Sequence, residues 1–438
     1  MKRYLLVSLL AALISQSPAR GGEVDTSADL ELQARAFWNS PQWADADDQA
    51  LHSALVATAE VRWRSEDGDQ RAALEPYLRW DAADDERNLV DFREAYWALA
   101  GDDYELLIGA TTVFWGVTES VHLVDIINQT DLAGDIDGED QLGQPMVSLM
   151  LQRDWGELTA FVLPYFRERT FSGGDGRFRP PLPVDNDNAV YESSREDQHV
   201  DVALRYSHYL GDIDIGVNVF SGTSREPRFV PSPDGSSLLP VYDQIEQVGI
   251  DLQYTTDAWL WKLEAIARDG ATHSFVAAVG GFEFTLYQLR DSATDLGLLL
   301  EYQYDERNEN EPVTIADNDL FAGMRLAFND VQDTTLLAGV SWDTETGETF
   351  LNIEADVLNE GERGLLGMCL DPDFANNGHI YVLYVAETNP GNPDVETAAY
   401  SKVERFTVSA GDPNLADLGT RVTLVGETWA TGITSTDT

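Results

Sequence analysis

From about residue 30 to about residue 355 the chain repeats one pattern, stretches of roughly nine to eleven residues in which apolar and polar side chains alternate. Successive side chains of a β-strand point to opposite faces, so each stretch builds one apolar and one polar surface. A helical period scatters these residues. In the clearest stretch Val200, Val202, Leu204 and Tyr206 share one face, and Asp201, Ala203, Arg205 and Ser207 the other. In another, Leu51, Ser53, Leu55, Ala57, Ala59, Val61 and Trp63 oppose His52, Val56, Thr58, Glu60 and Arg62. Residues 104–114, 158–166, 213–219, 248–254, 259–267, 296–304 and 320–328 follow the same rule. Pro76 and Pro164 interrupt two runs, and each lacks the N–H a sheet ladder needs.

The connections alternate in length. Residues 101–103, 154–156, 210–212 and 256–258 are tight, and 329–333 is slightly longer. Between them come long segments, 116–145, 170–199, 221–247 and 305–319. With a first strand near Leu30, the tight turns fall on one side and the long loops on the other. Bacterial membrane barrels sort their connections this way, and a soluble sandwich has no reason to. Trp38, Trp63, Trp80, Trp97, Trp155, Trp259 and Trp342 lie near turns or loops, as interfacial girdles require. The expectation is an all-β chain with a transmembrane antiparallel barrel of about sixteen strands.

The formal net charge of −49 disfavours nucleic acid and anionic lipid as partners held by charge alone. Such acidity suits a saline habitat. Lys2 and Arg3, the apolar residues 4–14 and the small-residue site Ser17-Pro18-Ala19 read as a secretory signal, too short for a spanning helix. No long charge-free apolar run follows, which argues against a helical membrane protein. Cys369 is the only cysteine and cannot form an internal disulfide.

The polar faces are mixed in sign. The candidate pore-lining bases are Arg35, Arg62, Arg64, Arg79, Arg205, Lys262, Arg268 and Arg325; the acids are Glu60, Glu75, Asp201, Asp251, Glu264 and Glu301. Opposed charges in a lumen set a transverse field that filters solutes. The excess acid lies mostly outside the strands. Asp135, Asp137, Glu139 and Asp140 lack the ligand spacing of a calcium loop, and Asp185 and Asp187 lie in another long segment. Diffuse cation association at the outer surface is the expectation for both. There is no Gly-rich phosphate loop, zinc-spaced His/Cys set or nucleophile elbow. His52, His199, His208 and His273 fall at strand ends or within strands, so no enzyme site is expected in the barrel.

Phe92-Arg93-Glu94-Ala95-Tyr96-Trp97, Leu107-Ile108-Gly109, Phe114-Trp115-Gly116 and Asp125-Ile126-Ile127-Asn128-Gln129-Thr130-Asp131-Leu132 resemble a block in porin-like outer-membrane proteins of proteobacteria. The resemblance implies an outer-membrane barrel with no particular substrate. It also implies a loop, opened by Trp115-Gly116 and residues 125–132, that folds toward the lumen.

A second resemblance starts at Val357-Leu358-Asn359-Glu360-Gly361-Glu362-Arg363-Gly364-Leu365-Leu366-Gly367. It continues through Asp371-Pro372-Asp373-Phe374, Asn377-Gly378-His379-Ile380-Tyr381-Val382, Lys402-Val403-Glu404-Arg405-Phe406 and Asp412-Pro413-Asn414. This stretch is similar to the soluble glucose/sorbosone dehydrogenases, six-bladed propellers that use pyrroloquinoline quinone (PQQ) and calcium. Residues 380–385, 402–408 and 422–427 read as strands, with turn signals at Asp371-Pro372 and Asn377-Gly378. Eighty-two residues cannot supply a closed propeller. The family's catalytic His and its later quinone- and calcium-binding positions have no counterpart before Thr438, and His379 does not correspond to that base. No catalytic, cofactor or metal residue is therefore assigned. The change of pattern at 356/357 lacks a linker, as in a chimeric or truncated gene, with a natural fusion as the other reading.

The expectations are thus a signal peptide over 1–19, a barrel over 20–356 and an incomplete propeller-like fragment over 357–438, periplasmic by strand parity. The expected function is passive diffusion of small solutes through the outer membrane of a Gram-negative bacterium. Outer-membrane lipid and lipopolysaccharide surround the protein, no nucleic acid binds, and a homotrimer is left open. The alternative is an incomplete, inactive PQQ-dependent sugar dehydrogenase-like protein.

Overall fold

The computed structural model describes residues 22–43, 45–135, 138–270, 272–308, 310–314, 316–331, 334–344, 351, 353, 356–357, 365–371, 374–386, 400–409 and 412–426. The expected signal, Asp137 and the end at Thr438 lie outside them. Contacts divide the chain into two compact units, Met1–Asp343 and Thr344–Thr438, a division that falls ahead of the 356/357 junction.

In chain order the first unit contains β1 (Glu23–Ala36), β2 (Leu51–Arg64), β3 (Gln70–Asp81), β4 (Leu89–Ala100), β5 (Tyr104–Thr111), β6 (Gln129–Thr130), β7 (Gln141–Leu142), β8 (Gln144–Arg153), β9 (Gly156–Leu163) and β10 (Val190–Tyr191). It continues with β11 (Asp201–Leu210), β12 (Ile213–Thr223), β13 (Arg228–Pro231), β14 (Leu238–Tyr242), β15 (Gln244–Thr256), β16 (Trp259–Asp269), β17 (Ser274–Leu286), β18 (Asp295–Asp305), β19 (Asp319–Ala327) and β20 (Thr335–Asp343). Fifteen of these form one antiparallel sheet, ordered β1-β2-β3-β4-β5-β8-β9-β11-β12-β15-β16-β17-β18-β19-β20. The strands β10, β14 and β13 form a small sheet built from the long connections, and β6 pairs with β7.

The sheet differs from the expected closed cylinder of about sixteen strands. Among the described residues β1 and β20 each pair with one neighbour only, so the sheet is open. The reason for the lower count lies at residues 350–356, expected from sequence as a barrel strand that continues into the second resemblance at Val357. Leu351, Ile353 and Val357 instead pack with Ile380, Val382, Tyr384 and Phe406 in the core of the second unit. The parity argument for a periplasmic C-terminal segment needed that sixteenth strand. With fifteen, β20 ends at the long-loop end of the sheet.

The alternation is realised strand by strand. In β16 Trp261 and Leu263 are exposed while Glu264, Ile266 and Arg268 are buried. In β18 Leu298 and Tyr302 are exposed, and Leu299, Glu301, Gln303 and Asp305 are buried. The register puts partners on a common face: Asp251 opposes Glu264, which opposes Val279, which opposes Gln303. At Pro76 the ladder is already broken. Pro76 pairs with Phe92 and Glu75 with Glu94, leaving Arg93 as the extra residue of a bulge that aims it at the same surface as Glu94. Pro164 lies just past the end of β9.

Loops sort largely as expected. Two on the long side are nevertheless short, 82–88 and 270–273. Among the described residues no helix is long and apolar enough to cross a membrane.

The second unit holds β21 (Leu365–Leu370), β22 (His379–Val385), β23 (Ser401–Ser409) and β24 (Asp412–Val425) in one antiparallel sheet of that order. Gly378, with φ +60°, makes the turn before β22. Glu404, fully buried, accepts from Tyr384, Arg421 and Thr423 and pairs with Lys402. These donors come from the unit itself, and the described residues form a single sheet and no propeller.

Candidate constriction site

The connection between β5 and β8, residues 112–143, does not project outward. It lies on the polar face of the sheet and supplies Trp115, Val124, Ile126 and Ile127 to the unit's main core. Their partners are Leu107, Met146, Phe161, Leu163, Ala203, Phe220, Ile245, Ile266 and Phe275, drawn from eight strands. The wall therefore curves around the loop, and the apolar burial that orders it sits inside the concavity.

Two wall carboxylates hold the loop's tip. Glu264 Oε1 accepts from Val117 N at 2.7 Å, Thr118 N at 3.0 Å and Thr118 Oγ1 at 2.7 Å, and its Oε2 from Val124 N at 3.2 Å. Glu301 accepts from Glu119 N at 2.9 Å, and from Ser120 N at 2.9 Å and Ser120 Oγ at 2.6 Å. Glu119 in turn receives Arg325 at 2.5 Å and faces Lys262 at 3.7 Å. At the far side Arg35 of β1 donates to Gly134 O at 3.1 Å and faces Asp135 at 3.6 Å. A single loop thus reaches from β1, one margin of the sheet, to β19, the strand next to the other.

Its other end is pinned by Asp131. Arg79 donates to both oxygens at 2.9 Å, and Arg93 and Thr170 donate at 2.7 Å each. Burial alone pushes this carboxyl up, but Arg79, Thr170 and Arg93 more than offset it and hold it at about 2. Asp125 behaves oppositely. Burial outweighs its bonds from Trp115 N and Gln141 Nε2 and lifts it to about 7. Burial also disfavours a charged His122, yet the nearby Glu264 carboxylate raises it overall.

The predicted wall residues all sit on the face the loop covers. Arg205 and Asp251 pair bidentately at 2.8 and 2.9 Å, bridging over Gly216 of the intervening strand. A Cβ on Gly216 would lie 2.3 Å from Asp251 Oδ2, so only glycine leaves room for the pair. The Arg205 guanidinium also lies 5.1 Å over Trp115. Arg62 bonds Glu60 and faces Glu94 at 3.2 Å, with Glu75 beside Glu94 in register. Arg64 sits exposed at the end of β2. Asp201 accepts from Thr223 N and pairs with Arg225. Arg268 bonds Gln247 and Glu226. Few of these residues are free ions on a wet wall, because most are consumed in pairs or in holding the loop.

The pore-lining residues expected from sequence did not include Arg93, at the bulge of β4, nor the loop-borne Asp131, Arg169, Arg225, Glu226 and Arg307. Arg169, Arg225, Arg268, Arg307 and Glu226 line a cavity of about 470 Å³, with Asp125 also on its lining. The available signal was arginine placed in long connections of a chain with 28 basic against 77 acidic residues.

No family model matches the chain, and no curated protein matches it in sequence. Among solved structures, similar chains are outer-membrane β-barrel proteins. OmpT of Vibrio cholerae, solved as a trimer, has 10% identity and a TM-score of 0.39 over 92% of this chain and 95% of its own. OmpF of Salmonella typhi, solved with daunomycin, has 10% identity and a TM-score of 0.41 over 74% and 91%. Wzi of Escherichia coli, described as a carbohydrate-binding β-barrel involved in capsule assembly, has 10% identity and a TM-score of 0.42 over 92% and 83%. Likenesses this remote establish neither a family nor an activity.

Proposed function

We propose that this chain is an outer-membrane channel of porin type that passes small solutes by diffusion, with lipid around its wall and no chemical step. The observation that carries the reading is the two-faced sheet. Exposed Val202, Leu204, Val219, Val248, Ile250, Leu263, Val276, Leu298 and Tyr302 form a band across neighbouring strands. Apolar area kept in water costs about 25 cal/mol per Å², and a contiguous band of this kind is a membrane surface. The opposite face carries charge and a folded-in loop, as a narrowed aqueous passage requires.

An unpaired strand edge is intolerable in hydrocarbon, so the reading requires the free edges of β1 and β20 to be paired in the membrane. The excess acid outside the wall suits the leaflet where divalent cations bridge lipopolysaccharide. A trimer is compatible with the band and is not required by it. The test is single-channel recording of the purified chain in a planar bilayer, combined with liposome swelling in neutral sugars. Stepwise conductance and swelling support the channel. A folded, inserted protein giving neither is a plugged or structural barrel.

A further inference from the structure

The cavity beside the inner loop is lined by four arginines, and they are not equally partnered. Glu226, on the connection after β12, receives Arg268 at 2.5 Å and Arg307 at 3.5 Å. Arg307 also pairs with Asp305 at 2.8 Å, and Arg225 with Asp201 at 2.7 Å. Arg169 is different. Its Nε meets only the neutral Gln129 Oε1 at 3.2 Å, its Nη2 lies 3.5 Å from Thr130 Oγ1, and among the described residues no carboxylate lies within ion-pair distance. Four guanidinium groups thus line the cavity together with the carboxyls of Glu226, Asp125 and Glu139, while Asp201 and Asp305 pair with Arg225 and Arg307 from outside the lining. Of the four, Arg169 is the one with no carboxylate at ion-pair distance among the described residues, in a space about 470 Å³ in volume.

A buried guanidinium without a counter-ion is costly, and its planar donor fork fits a carboxylate bidentately. Glu226 already shows what the wall accepts. Its carboxyl is disfavoured by burial, yet Arg307, Arg268 and Arg169 hold it at about 2. Its side chain stays about one-third exposed, so it stands in the cavity as an internal anion that a solute can reach. Asp125, on the loop side, repels an anion less than an ordinary aspartate because burial keeps its proton up to about pH 7.

We propose that Arg169, with Arg268 and Arg307, forms a binding subsite for small organic carboxylates, in which the solute supplements or displaces the Glu226 carboxylate. The inference rests on the channel reading for its route of access. It is independent of that reading as a binding site. It also opposes what the net charge of −49 suggests, since that field favours cations.

The test uses the full chain, folded in detergent, titrated calorimetrically with succinate, inorganic phosphate and neutral succinamide. The same protein is then recorded in bilayers with succinate on one side. Succinate should bind and interrupt the current, and succinamide should do neither. Arg169→Gln should weaken succinate at least about tenfold, and Glu226→Gln should tighten it several-fold, since charge-assisted bonds dominate such sites. Arg153→Gln, on the tight-turn side, should match the unaltered protein. Succinate affinity unchanged in both cavity variants overturns the proposal, as does equal binding of succinamide. Phosphate binding without succinate overturns the carboxylate assignment. Binding without conductance leaves the subsite standing and refutes the channel.

Discussion

Glu264→Gln is the sharpest perturbation of the inner loop. The substitution keeps size and removes charge at a fully buried wall position that accepts four hydrogen bonds from residues 117–124. With the amide oxygen at the Oε1 position, three bonds survive as neutral ones, each weaker by about 1 kcal/mol. The amide NH2 then faces Val124 N–H, leaving a buried donor unmet at about 1–3 kcal/mol. The gross loss is about 4–6 kcal/mol. Neutralising a buried charge recovers part of its desolvation, and the net is about 2 kcal/mol. That is roughly a thirtyfold rise in the time the tip spends undocked. Single-channel recording reads it directly, as flickering and a raised mean conductance that the Glu264→Gln/Glu301→Gln double variant should amplify. Heat-modifiable migration on gels confirms that each variant still folds. Traces from the double variant identical in noise and amplitude to the unaltered protein refute the claim that these carboxylates hold the loop.

Asp131→Asn leaves Arg79 buried and unpaired, which should cost about 3–5 kcal/mol and lower the temperature of the heat-modifiable transition. Asp131 itself is depressed to about 2, so its contribution is present above pH 4 and is lost as pH falls toward 2. For Asp125 the sign reverses. The folded form binds its proton more tightly than the unfolded form, so its contribution is full below pH 4 and falls as pH rises toward 7. The raised His122 contributes in the same direction, fully below its ordinary value and no longer above the raised one. Recordings should therefore be quieter at pH 5 than at pH 8, and Asp125→Asn should remove most of that difference. Leu263→Arg tests the apolar band. At an exposed site in water it should cost under about 0.5 kcal/mol, whereas against lipid it should cost about 2–4 kcal/mol and reduce inserted protein.

The wall was legible in sequence because its signal is local. The expected run 213–219 lies within Ile213–Thr223, 259–267 within Trp259–Asp269 and 296–304 within Asp295–Asp305. Period-two alternation needs no knowledge of distant partners. Strands that mix two roles were harder. The run 158–166 stops at Leu163, before Pro164, and the expected strand 350–356 gives Ile353 to another core. The constriction was half legible. Glu264 and Glu301 were identifiable as wall acids, but their partners lie 146 and 182 residues away in the chain. The same holds for Asp131 with Arg79 and for Arg225 with Asp201. Such pairs are set by which way a loop folds, and composition reveals only that the residues exist. The free edges of β1 and β20 have no local signature either, because strand pairing is read from the whole sheet.

The central claim is that one face of this sheet meets lipid and the other meets a polar interior. It is tested by single-cysteine spin labels at positions 260–267 in a Cys369→Ser background, reconstituted in bilayers. The account predicts that labels at 261, 263, 265 and 267 collide preferentially with oxygen, and those at 260, 262, 264 and 266 do not. An absent two-residue period, or preferential access of the odd positions to a water-soluble relaxant, contradicts it.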